Sequence, residues 1–173
     1  EERVDARTQD LRRLALRLET SAEVSRQVTS ILTIDALLAR VTELMAGSFD
    51  YYGILIYLLD AESGVLRCRA SHAPSILGFT IPLSIKSLNA EAIRTNAPVL
   101  VNDVSVEPRF LPDATYPDVR SELVVPLRIG SRTIGTLDLL HAGVDGFRAD
   151  DVLVAQSLAD QIAVAIENAR LYE

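Results

Sequence analysis

The sequence predicts an α+β domain, a central antiparallel β-sheet flanked by helices, with a long helix at each end. Three observations predict it. The middle of the chain consists of short apolar runs, alternating or continuous, separated by Gly, Pro, Asn and Ser, which is the pattern of strands and turns. Residues 1–31 contain neither Pro nor Gly and carry a seven-residue apolar repeat, and residues from about 149 onward are apolar around most of a helix. With 49% apolar and 24% charged residues, the chain has the composition of a folded domain rather than a disordered one.

In chain order, Val4, Leu11, Leu18, Ser25 and Leu32 mark one heptad position, with Leu14, Ser21 and Val28 interleaved at the fourth. Arg7, Ser21 and Ser25 weaken this seam. Two readings stand for residues 1–31: a helix lying on its own domain, or a coiled-coil-type helix pairing with a second chain through Leu11, Leu14, Leu18 and Val28. The remaining residues, 32–173, form the domain proper. Thr33 suits an N-cap, Asp35 the first turn, and Leu37, Val41, Leu44 and Met45 an apolar stripe that Gly47 ends. "YYGILIYLLD" reads as a buried strand, "ESG" as a turn, "VLRCRAS" as an alternating strand, and "GFTIPLS" as a shorter strand interrupted by Pro82. Ser87 caps a short helix, "LNAEAIRTN", which Pro98 closes. "VLVNDV" is extended, and residues 105–120, with three prolines, form a long loop of the kind that often carries binding.

A hairpin follows, "SELVVPLRIGSRTIGTLDLL". Pairing Val125 with Leu137 places Leu123, Val125 and Leu127 beside Gly135, Leu137 and Leu139, and leaves Arg128, Thr136 and Asp138 on the opposite face. That register asks for a three-residue connection, Gly130-Ser131-Arg132, with a bulge or unpaired side expected at Pro126. The last helix starts near Ala149. Leu158, Ile162, Ala165, Ala169 and Tyr172 make one stripe, and Val154, Ala155, Ala159, Ala163 and Ile166 widen it, so the helix needs cover on two sides: a sheet on one, and on the other a second copy, with Leu158, Ile162, Ala165 and Ala169 as the expected pairing residues.

A net charge of −7 argues against nucleic acid as the main partner, and the arginines of "LRRLALR" share their helix with acids. No apolar run approaches the ~18 residues of a membrane span, which excludes insertion, and a single cysteine suits a reducing, cytoplasmic setting. The first residues are Glu1-Glu2-Arg3 and the only methionine is Met45, so the chain is expected to be part of a longer protein.

"APVLVNDV", the hairpin, and "FRADDVLVAQSLADQIAVAIENARLYE" resemble, in that order and spacing, the second half of a GAF domain, and "TIDALLARVTELMAGSFDYYGILIYLLD" resembles its first helix and strand. The resemblance covers roughly residues 34–173. It implies a GAF/PAS-like sheet with a small-molecule pocket on one side, terminal helices that pack against a second copy, and a role as a non-catalytic sensory or regulatory module of a larger signalling protein such as a histidine kinase, whose output domain lies elsewhere in the same parent chain. The segments that surround the ligand in the family supply His72, Phe79, Ile93, Asp103, Phe110, Tyr116 and Glu122 as candidate ligand contacts. Asp103 and Glu122 are the candidate pocket acids; otherwise Asp103 caps a turn and Glu122 faces solvent.

Other features carry less. Relatives that attach a bilin do so through a cysteine, but "RCRASH" matches their motifs poorly, so Cys68 reads first as a small buried hydrophobe on a strand. The branch that reduces free methionine sulfoxide relies on several cysteines, and one cannot form an internal disulfide. His72 and His141 lack companions for a zinc site. Phe147 and Asp151 match half of a cyclic-nucleotide motif, without its Asn-Lys and with Val152 in place of Glu; acids in the first turn of the last helix explain them as well. The sequence names no ligand or cofactor. The alternatives to a ligand-binding sensory module are a dimerisation linker without ligand and a covalent photoreceptor through Cys68.

Overall fold

Alternation along the hairpin strands divides the molecule into two half-cores, one on each face of a single sheet. The computed structural model describes residues 34–171. The expected pairing helix of residues 1–31, with Leu11, Leu14, Leu18 and Val28, lies outside the described residues, as do Thr33 and Tyr172. The described elements are α1 (Ile34–Ser48), β1 (Gly53–Asp60), β2 (Val65–Ser71), β3 (Thr80–Pro82), α2 (Leu88–Thr95), β4 (Val99–Val101), β5 (Ser121–Ile129), β6 (Arg132–His141) and α3 (Ala149–Arg170). The strands form one antiparallel sheet in the order β3-β2-β1-β6-β5-β4.

The central strand β1 is buried without interruption from Gly53 to Leu58 because both its faces are covered. Ile54 and Ile56 join Leu123, Val125, Leu137 and Leu139 under α1 and α3. Helix α3 presents Ala155, Ala159 and Ala163 to this face, small residues that let it lie close to the sheet. The stripe of α1 is rotated by one residue from the expected one: Leu38 and Met45 are buried with Thr42, whose hydroxyl donates to the Ala39 carbonyl, while Leu44 is exposed. The opposite face, with Leu55, Tyr57, Leu66, Val124 and Leu140, is covered by α2 and the 105–120 segment.

The hairpin register is the expected one, Val125 opposite Leu137, but its connection is shorter. Ile129 pairs with Arg132, so the turn is the two residues Gly130-Ser131, with Gly130 at φ 61° where a II′-type turn requires a positive angle. A bulge after Leu127, one residue beyond Pro126, absorbs the extra residue. Arg128 keeps the expected face, between Leu127 and Ile129 and opposite Thr133, and its guanidinium reaches Asp160 of α3 at 3.0 and 2.8 Å. Pro126 donates nothing to the ladder, but its carbonyl accepts from Gln156 of α3 at 3.0 Å. On α3, Ile162 is buried in the chain's own core and Leu158, Ala165 and Ala169 are half-buried. The exposed apolar residues of this helix are Leu153, Val154 and Val164.

Candidate functional site

The second half-core is not wholly apolar. Glu122 pairs with Leu140 and Val124 with Asp138, so Glu122 and Asp138 are diagonal neighbours on adjacent strands, pointing to the same face. Both are buried, at 6% and 4% exposure. The serine cap of α2 fixes what lies above them. Ser87 Oγ accepts from the Ala90 amide at 3.0 Å, which sets the first turn of α2 and turns Asn89 down onto the sheet. Asn89 Nδ2 donates to Asp138 Oδ2 at 2.9 Å, and Asn89 Oδ1 accepts from Thr136 Oγ1 at 2.6 Å. Asp138 Oδ1 receives no hydrogen bond from any amide, hydroxyl or amine of the described residues.

Burial raises both carboxyls, and their mutual repulsion adds to this for Glu122, which is held well above its ordinary value of 4.5. Asp138 is pushed up to about 6, against the pull of the Asn89 amide and of a hydrogen bond from Glu122. The contact between the two acids raises Glu122 and lowers Asp138, so burial favours the protonated form more strongly at Glu122. Acids close together and shielded from water share one proton in this way.

Leu55 and Tyr57 from β1, Ile76 and Phe79 from the segment after β2, and Phe110 and Tyr116 from the 105–120 loop wall the space above the pair. Tyr116 is fixed by a 2.9 Å hydrogen bond with Ser71 and by the edge of Tyr52, ring centroids 5.5 Å apart. Arg109 also reaches the wall, but Glu107 holds its guanidinium at 2.7 and 3.0 Å. The volume left is about 40 Å³, room for a few waters. A larger guest enters only when α2 or the loop shifts outward.

The structure therefore gathers Phe79, Phe110, Tyr116 and Glu122 of the expected contacts at one pocket. His72 is exposed and touches the site only through the Tyr116 ring at 5.9 Å. Ile93 lines a separate outer groove beside Lys86 and Arg94. Asp103 is a half-buried cap, accepting from the Ser105 amide at 3.0 Å and the Ser105 hydroxyl at 2.6 Å, and it does not line the pocket with Glu122. The companion of Glu122 there is Asp138, which the sequence reading placed on the hairpin's other face without assigning it a role. Cys68 is buried beneath the pocket, and burial pushes its thiol up to about 12, the protonated and unreactive form at neutral pH. Phe147 packs in the opposite half-core, and Asp151 Oδ2 accepts from the Arg148 amide at 2.6 Å, a helix start rather than a nucleotide contact. His141 accepts from the Gly143 amide at 2.9 Å. Among the described residues, no group of three or more His, Cys, Asp or Glu is arranged to hold a metal ion, and no helix is long and apolar enough to cross a membrane.

A family model described as GAF domain matches residues 32–167. Among solved structures, a free methionine-R-sulfoxide reductase from Neisseria meningitidis, in complex with its substrate, is 26% identical, with 85% of this chain and 86% of that one covered and a TM-score of 0.74. The GAF domain from an Acinetobacter phosphoenolpyruvate-protein phosphotransferase is 20% identical, with 90% and 96% covered and a TM-score of 0.71. A methyl-accepting chemotaxis protein is 18% identical, with 87% and 98% covered and a TM-score of 0.70. The neighbours thus include signalling proteins and an enzyme. The reductase overturns the expectation that the chain is not an enzyme. A single cysteine excludes an internal disulfide cycle but not reduction by an external thiol.

Proposed function

Because the chain belongs to the GAF domain family, we propose that it is a sensory or regulatory module that binds a small molecule between the sheet and the cover formed by α2 and residues 105–120. The observation that carries this reading is the floor of the pocket. A domain that only links two chains has no use for two acids buried side by side, since each costs stability unless something compensates it. Asp138 Oδ1, buried and without a donor from an amide, hydroxyl or amine, supports an incoming group. In this reading the domain sits in the cytosol as part of a larger signalling protein, a histidine kinase being one such parent. It pairs with a second copy through α3, where Leu153, Val154 and Val164 are 71%, 45% and 55% exposed. Binding biases the paired helices by the difference in ligand affinity between their two arrangements.

A thermal-shift screen over amino acids, amines, carboxylates, cyclic nucleotides and tetrapyrroles tests the pocket, with sedimentation at high micromolar concentration run alongside. Stabilisation by at least one class and a dimer are the expected results. No stabilisation by any class contradicts the ligand reading, and a monomer contradicts the pairing. A second reading, conversion of the bound molecule, is favoured by the likeness to the Neisseria reductase. Its assay is consumption of free methionine-R-sulfoxide with dithiothreitol as reductant.

A further inference from the structure

We infer that the pocket takes an amine: a primary ammonium group settles between the buried carboxyls of Glu122 and Asp138, while a short apolar arm lies against Leu55, Ile76, Phe79 and Phe110. The inference rests on the pocket reading above and narrows it to one ligand chemistry.

Geometry carries it. The two carboxyls are diagonal neighbours on β5 and β6, buried at 6% and 4% exposure and facing the cavity. The charged and titratable groups facing them are Tyr57 from β1, Cys68 from β2, and Glu107, Arg109, Asp113 and Tyr116 from the loop. Arg109 is the one cation in this set, and Glu107 already engages it through two nitrogens. Neither pocket acid makes an ion pair with a cation of the described residues. The site is therefore acid-rich, and its one cation is already engaged by Glu107.

An ammonium group has three donors and a full positive charge. One donor meets Asp138 Oδ1, which has none from an amide, hydroxyl or amine, and another meets the Glu122 carboxylate once its proton has left. Charge balances: the pair changes from one negative charge to two, the ligand brings one positive charge, and one proton passes to the buffer. A nearby cation stabilises the ionised form of both carboxyls, so the proton that burial held in place is expelled by the ligand. A neutral alcohol of the same shape gains little from displacing it, and a carboxylate meets like charge. The cover also responds. Asp138 Oδ2 is the anchor of Asn89 and so of α2, which places the ammonium one carboxylate away from the helix that closes the pocket.

Calorimetry with isoamylamine, isoamyl alcohol and isovalerate, three probes of one shape, tests this on the full chain. The expected result is amine binding at least 100-fold tighter than either analogue. Titration at pH 7 in phosphate and in Tris, whose ionisation enthalpies differ, is expected to show about one proton released per amine bound. Glu122→Gln is expected to keep the domain folded and to abolish both the preference and the proton release. Absent or equal binding of the amine, or amine binding with no proton released, overturns the inference. Tight binding of the alcohol or the carboxylate instead overturns it while leaving the pocket reading intact, whereas the broad screen failing in every class removes the pocket reading itself.

Discussion

Replacing Glu122 by Gln is expected to stabilise the free domain at pH 8 and to leave it unchanged at pH 4. The Gln amide supplies to Asp138 the donor that the Glu122 hydroxyl supplies, and it does so without holding a titrating proton. In the native chain, burial and the neighbouring Asp138 raise Glu122 well above 4.5, so the folded state keeps a proton that the unfolded chain has lost. Folding stability from this group is fully present below 4.5 and declines as pH rises toward the folded value. While one extra proton is bound, the slope is about 1.4 kcal/mol per pH unit. The gap between variant and native protein therefore opens above the ordinary Glu value and widens with each unit. Asp138, pushed up to about 6, adds its own decline between its ordinary 3.8 and that value in both proteins. Urea unfolding at pH 4, 6 and 8 measures the gap. A pH-independent difference, or a variant weaker than the native protein at pH 8, contradicts the protonated pair.

The second large effect is at Gly135, where Ala is expected to destabilise the domain by about 3 kcal/mol, as overpacking against backbone does. Gly135 lies opposite Leu58, where β6 crosses the central strand, and a Cβ there would collide with the Tyr57 carbonyl oxygen and press on the Leu58 Cα. This β1 backbone cannot rotate away as a side chain would. β1 and β6 would separate locally, at the residue that also sets the Tyr57 side chain into the pocket wall. Thermal unfolding reads the loss. A melting temperature within a degree or two of the native one would mean that β6 shifts more easily than this register allows.

Most of the fold was legible because its signals are local. Alternation set β2 and the Val125–Leu137 register, and Ser87 announced α2 by its capping chemistry. The turn was misread because a bulge after Leu127 takes up a residue that the chain offers equally to the loop, and nothing in "RIGSRT" distinguishes the two. The rotation of the α1 stripe escaped notice because Thr42 satisfies its hydroxyl on its own helix and is buried like an apolar residue. The site was half legible. Glu122 lies at the pocket, but Asp103, offered beside it because both fall on segments that surround the ligand in the family, caps a turn instead. Yet the register itself put Asp138 diagonal to Glu122 on one face, and a lone acid inside "TLDLL" was a signal that alternation alone could have raised. Asn89 left no such trace: its role depends on how α2 settles over the sheet, a long-range packing event that no window of sequence contains.

Carboxyl-carbon NMR of the unliganded protein, followed from pH 4 to pH 8, reports the proton on the pair directly. One carboxyl, that of Glu122, should stay protonated at pH 7 after every exposed glutamate has ionised, with Asp138 titrating above the other aspartates. If both groups instead ionise at ordinary carboxylate values, about 4, the floor of the pocket is two plain anions and neither the proton exchange nor the amine preference survives.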